Sequence, residues 1–122
     1  MRIARLYTEA GKSAYDKIEF RKATSEIRNP DGSVVFKLEG FAVPAHWSQV
    51  AADILAQKYF RKAGVPARMK RIEETSVPSW LWRSVADEAA LADLGAKERV
   101  TGETDSRQVF DRLAGTWTYW GW

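Results

Sequence analysis

AHWSQVAADILAQKYFRKA, residues 45–63, is the stretch from which the fold is read. Trp47, Val50, Ala51, Ile54, Leu55 and Tyr59 recur at steps of three and four, the spacing that gathers side chains on one side of an α-helix. Ser48, Gln49, Asp53, Gln57 and Lys62 fall on the other side, which the pattern assigns to water. Pro44 stands at the entry, where a missing N–H costs little. Gly64 suits a left-handed C′ residue, and Pro66 bars further helix. Arg61 and Lys62 then occupy the last turn, opposite the negative end of the helix dipole. The spacing thus predicts one long helix whose apolar stripe needs a partner surface, from this chain or from another domain.

On the N-terminal side, residues 1–17 are weakly patterned and read as an arm. Asn29-Pro30-Asp31-Gly32 is a turn signal, with Pro presetting φ and Gly supplying a left-handed residue that ends a type I turn in a bulge. Val34, Phe36 and Leu38 alternate with Val35 and Lys37, as in a half-buried strand. Residues 19–27 and 33–38 are therefore expected to form an antiparallel hairpin. Glu39-Gly40 is expected to turn the chain again, with 41–43 as a short third strand. On the C-terminal side, 67–76 is charged and either helical or extended, and Pro78 opens a short helical turn bearing Trp80 and Leu81. Ser84 caps an expected helix carrying Ala89, Ala90, Leu91 and Leu94, stopped at Gly95. Residues 96–104 read as a polar loop. Asp105 with Gln108 resembles a capping box for a last helix that Gly115 stops. The fold class is α+β: a small antiparallel hairpin or three-stranded sheet packed with several helices, forming one domain over 18–122.

Composition narrows the function. The chain has 122 residues, 45% of them hydrophobic and 29% charged, and a net charge of +3. That fits one globular domain of modest core. No apolar run reaches the ~20 residues of a membrane span, and MRIARLYTEAGKS lacks a signal-peptide core. With no cysteine there is no disulfide framework, thiolate metal site or thiol nucleophile, which fits a cytoplasmic protein. Six Trp stand beside five Phe and four Tyr, and Trp117, Trp120 and Trp122 crowd the last residues. An ending TWTYWGW predicts a piece of a larger protein and marks these three as interdomain contacts.

Lys58, Arg61, Lys62, Arg68, Lys70 and Arg71 follow one another with no acid between them. Such a run suits a phosphate-bearing partner, a solvated face, or docking on an acidic neighbour domain. Glu73 and Glu74 follow and reduce its field. His46, the lone histidine, has no designated carboxylate for acid–base work and no companions for a zinc site. Asp16, Glu19, Glu26 and Asp31 offer no acid/base couple. No phosphate-binding glycine loop is present. These residues designate no catalytic, cofactor or metal site.

Three segments together carry a resemblance: TSEIRNPDGSVVF at 24–36, VPAHWSQVAADILAQKYFRKAGVPARMKRIEE at 43–74, and VPSWLWRS with DSRQVFDRLAGTWTYWGW to the end. Over residues 18–122 the chain resembles the N-terminal domain of bacterial adenosylcobalamin-dependent (class II) ribonucleotide reductases. The resemblance implies a parent that reduces ribonucleotides to deoxyribonucleotides for DNA synthesis. Its adenosylcobalamin generates a cysteine thiyl radical that abstracts the ribose 3′ hydrogen, and a cysteine pair supplies electrons as the 2′ hydroxyl leaves as water. That chemistry belongs to a ten-stranded α/β barrel downstream. The implied role for this chain is a non-catalytic cap that docks on the barrel of the same polypeptide and on a second subunit. Two rivals stand beside it. IRNPDGSVVF superficially resembles the opening strands of an ATP-cone, an allosteric nucleotide module, and the charge with the aromatics fits a nucleic-acid-binding domain.

Overall fold

The computed structural model describes residues 4–122. Met1–Ile3, part of the expected arm, lie outside the described residues. The chain divides into two compact units. One runs up to Tyr59 and includes Asp105–Arg107; the other comprises Phe60–Thr104 and Gln108–Trp122. Among the described residues the secondary structure is α+β, with three two-stranded antiparallel sheets, several short helical segments and one 16-residue helix.

In the first unit, β1 (Phe20–Arg28) pairs antiparallel with β2 (Val34–Pro44). The turn between them forms as its residues dictate. Gly32 is left-handed at φ 89°, its N–H reaches the Asn29 carbonyl at 2.9 Å, and the Asp31 carboxylate accepts from the Ser33 N–H at 2.8 Å. The expected third strand does not exist as a separate element. Residues 41–43 continue β2, because Gly40, at φ 67°, makes a bulge instead of a turn. Ala23 pairs with Phe41 and Thr24 with Glu39, so Gly40 is the extra residue between them. The bulge leaves Phe41, Ala42 and Val43 in register with the base of β1, where all three are buried.

The central helix also departs from its pattern. It begins at an N-cap, Ser48, whose hydroxyl accepts from the Ala51 N–H, and α1 covers only Gln49–Ile54. A π-helical turn, Leu55–Tyr59, follows. Pro44 closes β2 rather than opening the helix. Arg61 and Lys62 lie beyond the helix, and Gly64, left-handed at φ 78°, serves the connection to β3. The buried side follows the expected stripe only in part. Ala52 and Ala56 are fully buried and Leu55 nearly so, while Val50, Ile54 and Tyr59 are exposed. α1 packs on β1, and small alanines let the two backbones approach closely.

In the second unit, β3 (Val65–Pro66) pairs with β6 (Val100–Thr101), and β4 (Met69–Arg71) with β5 (Ser84–Ala86). Pro78 opens a 3₁₀ turn, Ser79–Leu81. Ser84 lies in β5; the helix cap is Asp87, which accepts from the Ala90 N–H at 3.2 Å, and α2 is only Glu88–Leu91. β6 crosses the expected polar loop. The last helix, α3, is Ser106–Gly121 and passes through Gly115 without stopping. Its entry is capped as expected in kind. Asp105 Oδ1 accepts from the Arg107 N–H at 2.9 Å, and Gln108 Oε1 accepts from the Thr104 N–H at 2.8 Å.

Two substitutions test this packing. A Cβ on Gly102 would sit 2.7 Å from the Lys62 carbonyl oxygen, so Gly102→Ala is expected to lower stability by about 1–3 kcal/mol in urea unfolding, as overpacking does. The fully buried Ser106 hydroxyl has no hydrogen-bond partner among the described residues. Ser106→Ala is therefore expected to leave the thermal midpoint unchanged or raise it, since it removes a desolvated polar group.

Candidate functional site

The expected basic residues fall in both compact units, Lys58 in the first and Arg61, Lys62, Arg68, Lys70 and Arg71 in the second. Lys58 is exposed in the π-helical turn of the first unit. Arg61 belongs to the second unit and is tied to Glu103. The Arg61 N–H donates to Glu103 Oε1 at 2.8 Å, the Glu103 N–H returns to the Arg61 carbonyl at 2.8 Å, and the guanidinium lies 3.6 Å from Oε2. Lys62 carries the carbonyl that crowds Gly102. Arg68 donates to the Ala67 carbonyl at 3.1 Å. On β4, Lys70 is exposed and Arg71 donates to the Trp82 carbonyl at 3.3 Å.

Two acids organise the second unit: Glu103, which sequence reasoning passed over, and Glu74, which it read only as weakening the field of the basic run. Glu103, buried, receives two bonds from Arg112, at 2.9 and 3.2 Å, besides the Arg61 contacts. Burial alone would push the Glu103 carboxyl up; the Arg112 guanidinium and the Arg61 N–H outweigh it and hold the carboxyl below its ordinary range. Glu74 receives the Arg83 N–H at 3.1 Å, the Arg83 guanidinium at 2.8 Å and the Tyr119 hydroxyl at 2.8 Å. The Arg83 N–H leads in holding that carboxyl down, against desolvation, with help from Tyr119 and the guanidinium. The Trp82 indole N–H donates to the Glu74 carbonyl at 3.0 Å. Only the polarity of their surroundings, which no linear spacing reveals, distinguishes these acids from the solvated ones.

That network turns α3 so that Tyr119 faces inward and the tryptophans face out. Trp117 is 64% and Trp120 77% exposed, and Trp122 stacks edge-on against exposed Trp80 at 5.4 Å between ring centroids. Residues 113–122 contain no charged side chain. The cations at this end are paired internally, Arg112 with Glu103 and Arg83 with Glu74. The result is an exposed apolar aromatic surface, the kind that marks a protein interaction site.

An α+β module with exposed indoles at the end of its last helix is the class that this geometry defines. The family described as class II vitamin B12-dependent ribonucleotide reductase matches residues 21–122. The chain is 68% identical over all 122 residues to the vitamin B12-dependent ribonucleotide reductase of Agrobacterium fabrum, and 66% to that of Bradyrhizobium diazoefficiens. It is 40% identical over 70 residues, 56% of its length, to that of Streptomyces avermitilis. This chain belongs to the class II vitamin B12-dependent ribonucleotide reductases, as their N-terminal domain. It spans 10% of the length of the Agrobacterium and Bradyrhizobium relatives.

Among the described residues no group of three or more His, Cys, Asp or Glu is placed to hold a metal ion. The hollow lined by Lys17, Ile18, Glu19, Ala45 and His46 is an open surface depression bearing charge. Among the described residues no helix is long and apolar enough to cross a membrane.

The sign of the Glu103 shift gives a prediction. A carboxyl lowered by folding stabilises above its unfolded value, near ~4.3, and loses that contribution as pH falls through the lower folded value. Urea unfolding across acidic pH should therefore show stability falling below ~4.3 in the native chain, with a shallower fall in Glu103→Gln. At neutral pH that variant should lose about 2 kcal/mol, because Arg112 keeps its charge without the buried carboxylate and partial exposure screens the loss. Equal stability of the two at neutral pH would contradict the clamp.

Proposed function

We propose that this chain is the non-catalytic docking domain of a larger reductase, seated on the catalytic barrel of the same polypeptide through Trp117, Trp120 and Trp122. The observation that carries the reading is the exposure of Trp117 and Trp120 on an uncharged helix end. Two indoles left in water give up several kcal/mol that burial against protein would return, at ~25 cal/mol per Å² of apolar surface.

In this reading the parent reduces ribonucleotides to deoxyribonucleotides in the cytoplasm. Adenosylcobalamin, when bound, supplies the radical chemistry there. This chain contains no cysteine, so the thiols that the reaction needs belong to the barrel. The domain holds the barrel's shape and its contacts with a second subunit. What speaks against nucleic acid is charge: stacked bases bring phosphates, yet the arginines nearest the indoles are neutralised by Glu103 and Glu74. Calorimetry with ATP and dATP, comparing the full-length parent with its Asp31→Ala variant, tests the ATP-cone rival; heats that the substitution leaves unchanged count against it.

The docking reading is tested in the full-length parent with Trp117→Ala and Trp120→Ala combined. Covered indoles predict a loss of about 3–5 kcal/mol for each buried truncation, with turnover falling alongside. Water-exposed indoles predict a change within about 0.5 kcal/mol. Undiminished stability and turnover would overturn the proposal.

A further inference from the structure

α1 and the π-helical turn after it bury Ala52, Leu55 and Ala56 against their own fold and send two side-chain amides to the hairpin, while Val50, Ile54 and Tyr59 stay exposed. The Gln49 amide donates to the Thr24 carbonyl of β1 at 2.8 Å and to Asp53 Oδ1 at 2.9 Å. One helical turn after Asp53, the Gln57 amide donates to the hydroxyl of buried Ser25 at 3.1 Å. Between these contacts lie Ala52 and Ala56, both fully buried. Successive residues of an α-helix are offset by about 100°, so 49, 52, 53 and 56 share this inner side while 50 and 54 share the opposite one. On that outer side Val50 is 67% and Ile54 46% exposed, and exposed Tyr59 extends the stripe. A helix apolar on the side away from its own core has the pattern of a helix buried within a larger body.

We infer that Val50, Ile54 and Tyr59 form a second docking surface, covered by an apolar face of the reductase polypeptide that lies outside this chain. Its relatives are about ten times as long, so that polypeptide is tethered and present at high effective concentration. The stripe itself bears no charge; Lys58, exposed beside it, can keep its ammonium at the rim while its stem lies on apolar surface. An apolar protein face is the chemistry that fits. The inference rests on the docking reading above, but this surface belongs to a different compact unit from the tryptophans and can fail alone.

The test uses the full-length reductase with single substitutions Val50→Cys, Ile54→Cys and, on an exposed turn, Lys12→Cys. Maleimide labelling at each position is followed by peptide mass spectrometry, folded and in urea. Positions 50 and 54 are expected to label at least about ten-fold more slowly than position 12 when folded, and equally in urea, as protection by a closed contact requires. Equal fast labelling of the folded protein overturns the inference. Slow labelling that becomes fast on dilution assigns the stripe to a second copy and also overturns it. Should a cysteine variant fail to fold, Ile54→Lys and Ile54→Leu replace it. A lower melting temperature for Lys than for Leu supports coverage, and equal melting temperatures overturn it. Fast labelling at 50 and 54 together with destabilisation by the tryptophan variants would remove this surface and leave the tryptophan docking intact.

Discussion

Two side-chain amides fix the direction in which α1 faces. Ser25 is buried in β1, and a buried hydroxyl without a partner is costly; Gln57 supplies one. Gln49 does the same for the Thr24 carbonyl beside the bulge, where strand pairing is irregular. With both amides committed to the hairpin, the alanines must lie against it. Val50 and Ile54 are then carried outward by helical geometry alone. A two-stranded hairpin is marginal in water without such a helix, so the same contacts that complete the first unit also expose its apolar stripe.

The second unit follows a parallel logic with charge in place of amides. Glu103 gathers Arg61 and Arg112, and Glu74 gathers Arg83 and Tyr119. Each acid neutralises cations that the linear sequence presents as available. What remains at the end of α3 is aromatic and uncharged. The two units thus reach one outcome by different means: polar side chains are committed within each unit while some large apolar ones, Val50 and Ile54 in the first and Trp117 and Trp120 in the second, stay exposed.

How much of this was legible depended on how local its cause was. The turn at 29–32 was legible because Pro30, Asp31 and Gly32 determine it by themselves, and the Asp105–Gln108 cap likewise. Gly40 was read as a turn because its effect depends on the register with β1: the same left-handed residue makes a bulge when the strand beyond it still has a partner. The stripe over 45–63 was legible in part: Leu55 is buried as expected, but Val50, Ile54 and Tyr59 are exposed, because alanine counts weakly as an apolar residue whereas close packing against β1 favours the small volume of Ala52 and Ala56. The basic run was contiguous in sequence but is divided between two units, with Arg61 paired to an acid more than forty residues away. The family resemblance held because long motifs such as WSQVAADILAQKYFRKAGVP survive errors about which side of a helix is buried. The three C-terminal tryptophans were legible as unusual, and the network that turns Trp117 and Trp120 outward was not.

The central claim is that this domain is completed by protein beyond it. A cryo-electron microscopy structure of the full-length parent tests that claim most directly. The account predicts side-chain density from the catalytic part of the same polypeptide within contact distance of Val50, Ile54, Trp117 and Trp120. Well-ordered density that leaves all four in solvent would contradict it.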